Sequence, residues 1–361
     1  MSSVAVVFGG PSPEHDISIL TGLMAARTLH NTGVEVIGLY WAKSGSWHQV
    51  DPLSEGSDFI DGVPKGSTDL ELIATPGLGF VAGRKHKSVG VTTVVNACHG
   101  GPGEDGSLQG VFDLAGINAT GPAVWAASLA MDKLAFGAVV EAAGLPTLAR
   151  RAIDPGVEPG FAGPYIVKPR FGGSSIGIEI VEDYQTAVAL LATSPHMDRG
   201  GVIEPFLADA TDLNISIRSY PELSVSAIER PLSGQGFYDY KDKYLAGGGL
   251  SGSRRELPAD IDDALADRIK ELALTVGRLV GVRSVARLDF LWTGQDLYVN
   301  EINPIPGSLS TYLWEEQGVS PIQLLAGLVE EAQALRGPGW TVAGSDGLAL
   351  RDAGSIAAKL G

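Results

Sequence analysis

The sequence predicts an α/β protein built around a parallel sheet, with two or three domains meeting at a shared cleft. Three observations lead there. A chain of 361 residues is long for a single hydrophobic core. Its first third alternates short apolar runs with segments of helical periodicity, the pattern of strands covered by helices on both faces. Its 48 glycines cluster in loops between apolar runs, which points to special turns and close backbone approach and not to a fibrous repeat or flexible linker.

The elements follow in order. VAVVF at 4–8 is an apolar strand closed by Gly9 and Gly10, and ISILTGLMAARTLH at 17–30 is a helix. EVIGLYWA (35–42) and GVTTVVNACHG (90–100) are further strands, while EDGSLQGVFDLAG (104–116) and WAASLAMDKLAFGAVVEAAG (125–144) read as helices. In such a sheet, ligand loops lie beyond the carboxyl ends of the strands. A new segment opens near residue 147 with TLARRAI, then PYIVKPRFGGSSIGIEIV, two strands around a loop. DYQTAVALLATS is a helix and GVIEPFLA (201–208) a strand. Strands LNISIRSY, LSVSAIERP, VARLDFLWTG and DLYVNEINP complete the set, with a long helix over 258–281 before the last pair. The stretch from Arg336 to Gly361 carries no assignable pattern.

Composition removes several function classes. Hydrophobic residues make up 44% and charged residues 19%, enough apolar surface for an ordered core. A net charge of -16 repels polyanions, so nonspecific nucleic-acid binding and a basic membrane-surface role are excluded, and any anionic ligand must be held by local groups. Cys98 is the only cysteine, so no internal disulfide forms; in the apolar run VVNAC it reads as a packed thiol and not a nucleophile. No basic leader and no run of about 18 apolar residues occurs, so a soluble cytoplasmic protein without membrane partners is expected.

Six stretches carry chemistry. In IVKPRFGGSSIG the glycines let backbone amides approach a ligand, and with the serine hydroxyls they can cradle phosphate oxygens beside the point charge of Lys168; a tight hairpin with a snorkelling lysine is the alternative. VARLDFLW places Asp289 among apolar residues, and LYVNEINPIPG places Glu301 and Asn303 on one face of a neighbouring strand. Two carboxylates and an amide oxygen suit magnesium, although Arg287 could neutralise the same charges in a salt-bridge cluster. FGGPSPEHDIS and HGGPGEDGSLQG follow strands; helix capping accounts for Asp16 and Asp105, but not for a histidine, His99, followed by two glycines. GFYDYKDKYLAGGGLSG reads either as an exposed loop or as a glycine-hinged lid over a cleft.

In this order GGPSPEHDIS, HGGPGEDGSLQG, AMDK, VKPRFGGSSIG, YDYKDKY, ARLDF and NEINPIPG resemble the D-alanine-D-alanine ligases of the ATP-grasp superfamily, over residues 4 to 330. The resemblance implies a three-domain ATP-grasp fold with a Rossmann-like N-terminal sheet, divided at 1–122, 123–206 and 207–361. It implies ATP and two magnesium ions, or manganese in their place, and a dipeptide made through an acyl phosphate. It assigns Lys133, Lys168, Gly173, Ser174, Ser175 and Lys243 to the phosphates, Glu204 and the backbone to Leu207 to adenine, and Asp212 to ribose. Asp289, Glu301 and Asn303 would be metal ligands. Glu14, braced by Ser174 and Tyr244, would hold the first D-alanine, while His99, Arg287 and the Gly307 amide surround the reacting carboxyl. Amino-acid substrates and a homodimer are implied as partners.

Three positions depart from the family pattern. The ribose position is an aspartate, Asp212, after an apparent one-residue insertion; residue 205 is proline; and the loop after NEINPIPG is several residues short, leaving Ser310 and Tyr312 near the second substrate. A related ligase of a specialised pathway with another acceptor is therefore the alternative.

Overall fold

Strand β1 (Val4–Gly9) is buried along its whole length, and α1 (His15–His30) packs against it. Gly22 makes that packing possible, because a Cβ there would stand 2.4 Å from the Phe8 side chain. After β2 (Val36–Trp41), four strands for which the sequence predicted nothing extend the sheet: β3 (Trp47–Val50), β4 (Thr68–Ile73), β5 (Gly79–Ala82) and β6 (Lys87–Ser88). Then come β7 (Thr93–Asn96), α2 (Gly101–Glu104), α3 (Ser107–Ala115) and β8 (Asn118–Ala119). The order is β6-β5-β4-β3-β2-β1-β7-β8. The expected parallel sheet is thus its β2-β1-β7-β8 half, and the remainder is antiparallel.

These elements belong to a computed structural model that describes residues 4–232, 255–335 and 340–359. Two of the expected helices are each broken in two. Residues 104–116 divide between α2 and α3 at Gly106, which is left-handed at φ 96°. Residues 125–144 form α4 (Val124–Met131) and α5 (Lys133–Ala142), separated by Asp132 in an extended conformation. The Asp132 carboxylate accepts from the amides of Leu134 and Ala135 at 3.1 and 3.2 Å, so it caps the second helix instead of continuing the first.

A second sheet holds β9 (Arg151–Ala152), β10 (Tyr165–Pro169), β11 (Glu179–Val181) and, after α6 (Tyr184–Thr193), β12 (Gly201–Pro205). It is antiparallel, ordered β11-β10-β12-β9. Of TLARRAI only two residues pair, and β12 stops at Pro205, earlier than expected. The third sheet runs β15-β14-β13-β16-β17, all antiparallel, from β13 (Thr211–Arg218), β14 (Ser224–Pro231), β15 (Arg255–Glu256), β16 (Val285–Trp292) and β17 (Leu297–Asn303). Helix α7 (Asp263–Val280) precedes the last pair; Asp262 caps it, and Leu265, Ile269, Ala273, Val276 and Val280 form its buried stripe. Its core also takes Phe136 and Val140 from α5. Helices α8 (Tyr312–Glu315) and α9 (Pro321–Ala334) follow, and α9 returns to the first sheet, burying Leu325 and Leu328 beside Phe8 and Val95. Two short helices, α10 (Leu348–Asp352) and α11 (Ile356–Lys359), lie in the stretch left unassigned.

Candidate active site

The second and third sheets enclose a cavity of about 470 Å³. One wall is a face of the third sheet. Register places Asp289 opposite Glu301 and Arg287 opposite Asn303, so the predicted metal residues do come together. Asp289 is engaged, as the salt-bridge alternative anticipated: Arg287 Nε and Nη2 donate to its two oxygens at 2.6 and 2.7 Å, and Asn303 Nδ2 donates to Oδ2 at 3.0 Å. Burial works against the Arg287 charge, but Asp289 outweighs it and holds the guanidinium well above its ordinary range. Glu301 lies 3.6 Å from Lys133 Nζ. The donor set fits a hard divalent cation: two carboxylates and an amide oxygen on adjacent strands, their charge met here by Arg287 and Lys133.

The opposite wall comes from β10, β12 and the glycine-rich hairpin. Lys168 Nζ donates to Glu204 Oε2 at 2.9 Å and to Asn300 Oδ1 at 3.2 Å. Lys133 Nζ donates to the Gly172 carbonyl, holding the hairpin. Burial alone would raise the pKa of Glu204, which is fully enclosed, yet Lys168 and Arg150 keep it below the usual carboxylate range. Arg150 is a residue that sequence reasoning missed. Its Nε meets Glu204 at 2.5 Å, Nη1 the Lys133 carbonyl at 2.6 Å and Nη2 the Asn300 carbonyl at 2.9 Å, tying three elements together. The signal was present, since TLARRAI puts arginine in an apolar run where an unpaired charge is untenable. Leu207, Asp212, Ser175, Gly307 and Tyr312 all line the same cavity.

Glu14 opens instead onto a second cavity, of about 230 Å³, together with Gly173 and Gly100. Ser174 donates to Glu14, as the resemblance implied. The fit around this carboxylate is close: Gly100 is left-handed at φ 65°, and a Cβ on it would lie 2.5 Å from Glu14 Oε2. His99 is placed differently from expectation. Its Nδ1 binds the Ile305 carbonyl at 2.7 Å and its Nε2 binds Thr21 Oγ1 at 2.8 Å, so both ring nitrogens face protein and it braces the loop that carries Gly307. Burial lowers its pKa, keeping the ring neutral. Ser310 is fully buried outside the cavity lining, and its hydroxyl has no hydrogen-bond partner among the described residues. Lys243, Tyr244 and the predicted lid lie outside the described residues. Cys98 is buried in the first core, the packed thiol expected.

A glycine-serine hairpin and an oxygen-rich antiparallel face, closing on one cleft behind a Rossmann-like sheet, define an ATP-grasp ligase. The family models for the D-ala D-ala ligase N-terminus and C-terminus match residues 3–122 and 145–330. A D-alanine--D-alanine ligase of Mycobacterium sp. (strain KMS) is 33% identical, covering 93% of this chain and 97% of its own length. That of Nocardia farcinica is 32% identical, covering 93% and 98%. Among solved structures, the VanG D-Ala:D-Ser ligase from Enterococcus faecalis superimposes with TM-score 0.78 at 25% identity over 92% of this chain and 99% of that one. The Helicobacter pylori D-alanine-D-alanine ligase gives 0.73 at 26% over 93% and 100%. The chain therefore belongs to the D-alanine-D-alanine ligase family, whose members are ATP-dependent.

Proposed function

We propose that this chain joins two D-alanine molecules with cleavage of ATP to ADP and phosphate. The observation that carries the reading is that Lys168 and Ser175 line the same 470 Å³ cavity as Asp289 and Glu301, which pair across adjacent strands. Lys133, Lys168 and the amides around Gly173, Ser174 and Ser175 take the phosphates. Glu204 and the backbone to Leu207 receive adenine, and Asp212 the ribose. Glu14, oriented by Ser174, holds the ammonium of the first D-alanine, whose carboxylate attacks the terminal phosphorus and releases ADP. The second amine then attacks the acyl carbon and phosphate departs, while Arg287 and the Gly307 amide meet the oxyanion. Asp289, Glu301 and Asn303 would hold one or two magnesium ions, or manganese, which neutralise charge on the transferred phosphoryl group. Lys243 and Tyr244 complete the set by resemblance, as does a homodimer of domains divided at 1–122, 123–206 and 207–361.

A second acceptor is the other reading, favoured by the short loop after Gly307 and by the similarity to a D-Ala:D-Ser ligase. Phosphate release with ATP, magnesium and D-alanine, with mass spectrometry of the products, tests both readings. Asp289→Asn is expected to lower turnover by roughly two orders of magnitude or more, and a chelator to abolish it reversibly. Near-normal turnover in that variant would place the metal elsewhere.

A further inference from the structure

One cross-strand row of the third sheet reads Glu229, Asn214, Asp289, Glu301, and all four residues line the 470 Å³ cavity. The reaction described above uses only the last two. Glu229 is 4% exposed, and its two oxygens differ. Oε1 accepts from the Tyr312 hydroxyl at 2.8 Å and from Asn214 Nδ2 at 3.2 Å. Oε2 makes, among the described residues, only a 3.7 Å ion pair with Arg255 Nη1, too long for a hydrogen bond. The Arg255 guanidinium in turn stands 4.3 Å over the Tyr312 ring. Arg287, Gly307 and Ser308 border the same space.

A buried carboxylate oxygen without a hydrogen bond among the described residues, next to a guanidinium fork, is complementary to a zwitterion. The ammonium donates to the carboxylate and the substrate carboxylate accepts from the fork. Two strand spacings put Glu229 on the order of 10 Å from Asp289, outside the shell of a cation there but about one amino acid away from it. We propose that Glu229 and Arg255, with Tyr312 as the wall between them, determine acceptor specificity: Glu229 reads the α-ammonium and Arg255 the α-carboxylate of the second amino acid. This rests on the ligase reading above.

The test uses the full chain with ATP, magnesium and D-alanine as donor, and compares three acceptors by mass spectrometry. D-alanine has both charges, D-lactic acid lacks the ammonium, and ethylamine lacks the carboxylate. Wild type is expected to make the dipeptide and reject both analogues. Glu229→Gln keeps an oxygen for Tyr312 and Asn214. It should raise the acceptor KM roughly tenfold or more and shift the ester-to-dipeptide ratio by a similar factor, with the KM for ATP held within about twofold. Arg255→Met should narrow the preference for D-alanine over ethylamine. Unchanged acceptor kinetics in Glu229→Gln, an unchanged preference in Arg255→Met, or a KM for ATP rising in step with that for the acceptor overturns the proposal. So does a wild type that makes ester or ethylamide as readily as dipeptide, which would leave the ligase reading standing. A wild type that forms no product and releases no phosphate overturns both.

Discussion

Ile305 has both of its backbone groups held by side chains from the other end of the chain. Glu104 Oε1 accepts from its N–H at 3.1 Å, and His99 Nδ1 donates to its carbonyl at 2.7 Å. The other Glu104 oxygen accepts from the Gly100 amide at 2.7 Å. Burial, and after it the charge of Glu14, pushes the Glu104 carboxyl from 4.5 up to about 8, against the pull of the two amides and Lys133. Because the folded pKa lies above the unfolded one, the folded state binds the extra proton. The stabilisation is complete below pH 4.5 and is lost as the pH rises to about 8. His99 has the opposite sign: kept neutral by burial, it favours folding above 6.5 and loses that contribution as the pH falls. Glu104→Gln separates the two. The melting temperature of wild type minus that of Glu104→Gln should fall steadily between pH 4.5 and 8. A flat or rising difference would mean that Glu104 is ionised throughout. HGGPGED showed that polar groups gather at a strand end, but not that they brace a peptide some 200 residues away, because spacing carries no information on where a side chain points.

At the scale of elements, Asp132 joins α5 to the end of β10. It caps the helix, and it accepts from Arg170 Nε and Nη2 at 2.8 and 2.6 Å, which hold its carboxylate below the ordinary range although burial opposes this. Lys133, the first residue of that helix, also donates its own amide to the Arg170 carbonyl at 3.1 Å. Asp132→Ala should therefore destabilise the protein by about 1–3 kcal/mol. It should also raise the KM for ATP more than that for D-alanine, and Asp132→Asn should restore most of the stability by restoring the cap. Equal stability of Ala and Asn variants in denaturant titrations would assign the effect to the ion pair alone. This break was hidden in the sequence because apolar residues continue at helical spacing on both sides of AMDK. The turn after Gly307 was hidden more deeply. Ser308, Leu309 and Ser310 take φ of 51°, 50° and 50°, which local preference disfavours. The compensation is long-range: Thr21 Oγ1 accepts from the Ser308 amide at 3.1 Å, and Leu309 is buried in the core of the first sheet. Strands rich in apolar residues, such as β1, β10 and β16, were legible because burial dictates their composition. The short β4 and β6 were not: β6 is an exposed edge strand, which needs little apolar content, and β4, although interior to the sheet, buries only Leu70.

Across the whole molecule, the third sheet is fastened to the first by more than the loop at Ile305. Arg283 Nε donates to the Gly121 carbonyl at 2.7 Å, the Gly121 amide donates to Ser284 Oγ at 2.8 Å, and Glu331 on α9 accepts from the Ser284 amide at 2.9 Å. Helix α9 completes the arrangement by burying Leu325, Leu328 and Val329 in one core with Phe8, Leu23, Val285 and Ile305. A core shared in this way couples the N-terminal sheet to the third sheet, although more than 300 residues separate its outermost members in sequence. Leu325→Ala, at a position with no exposure, opens a cavity there and should remove about 2–5 kcal/mol of stability. If the sheets were independent, that loss would melt the first sheet alone and leave nucleotide binding intact at the same temperature. With the shared core, loss of tertiary signal by near-ultraviolet circular dichroism and loss of bound fluorescent ATP analogue should fall together, as one transition displaced to lower temperature. Two separated transitions in that variant would show that the cleft does not depend on the sheet behind it.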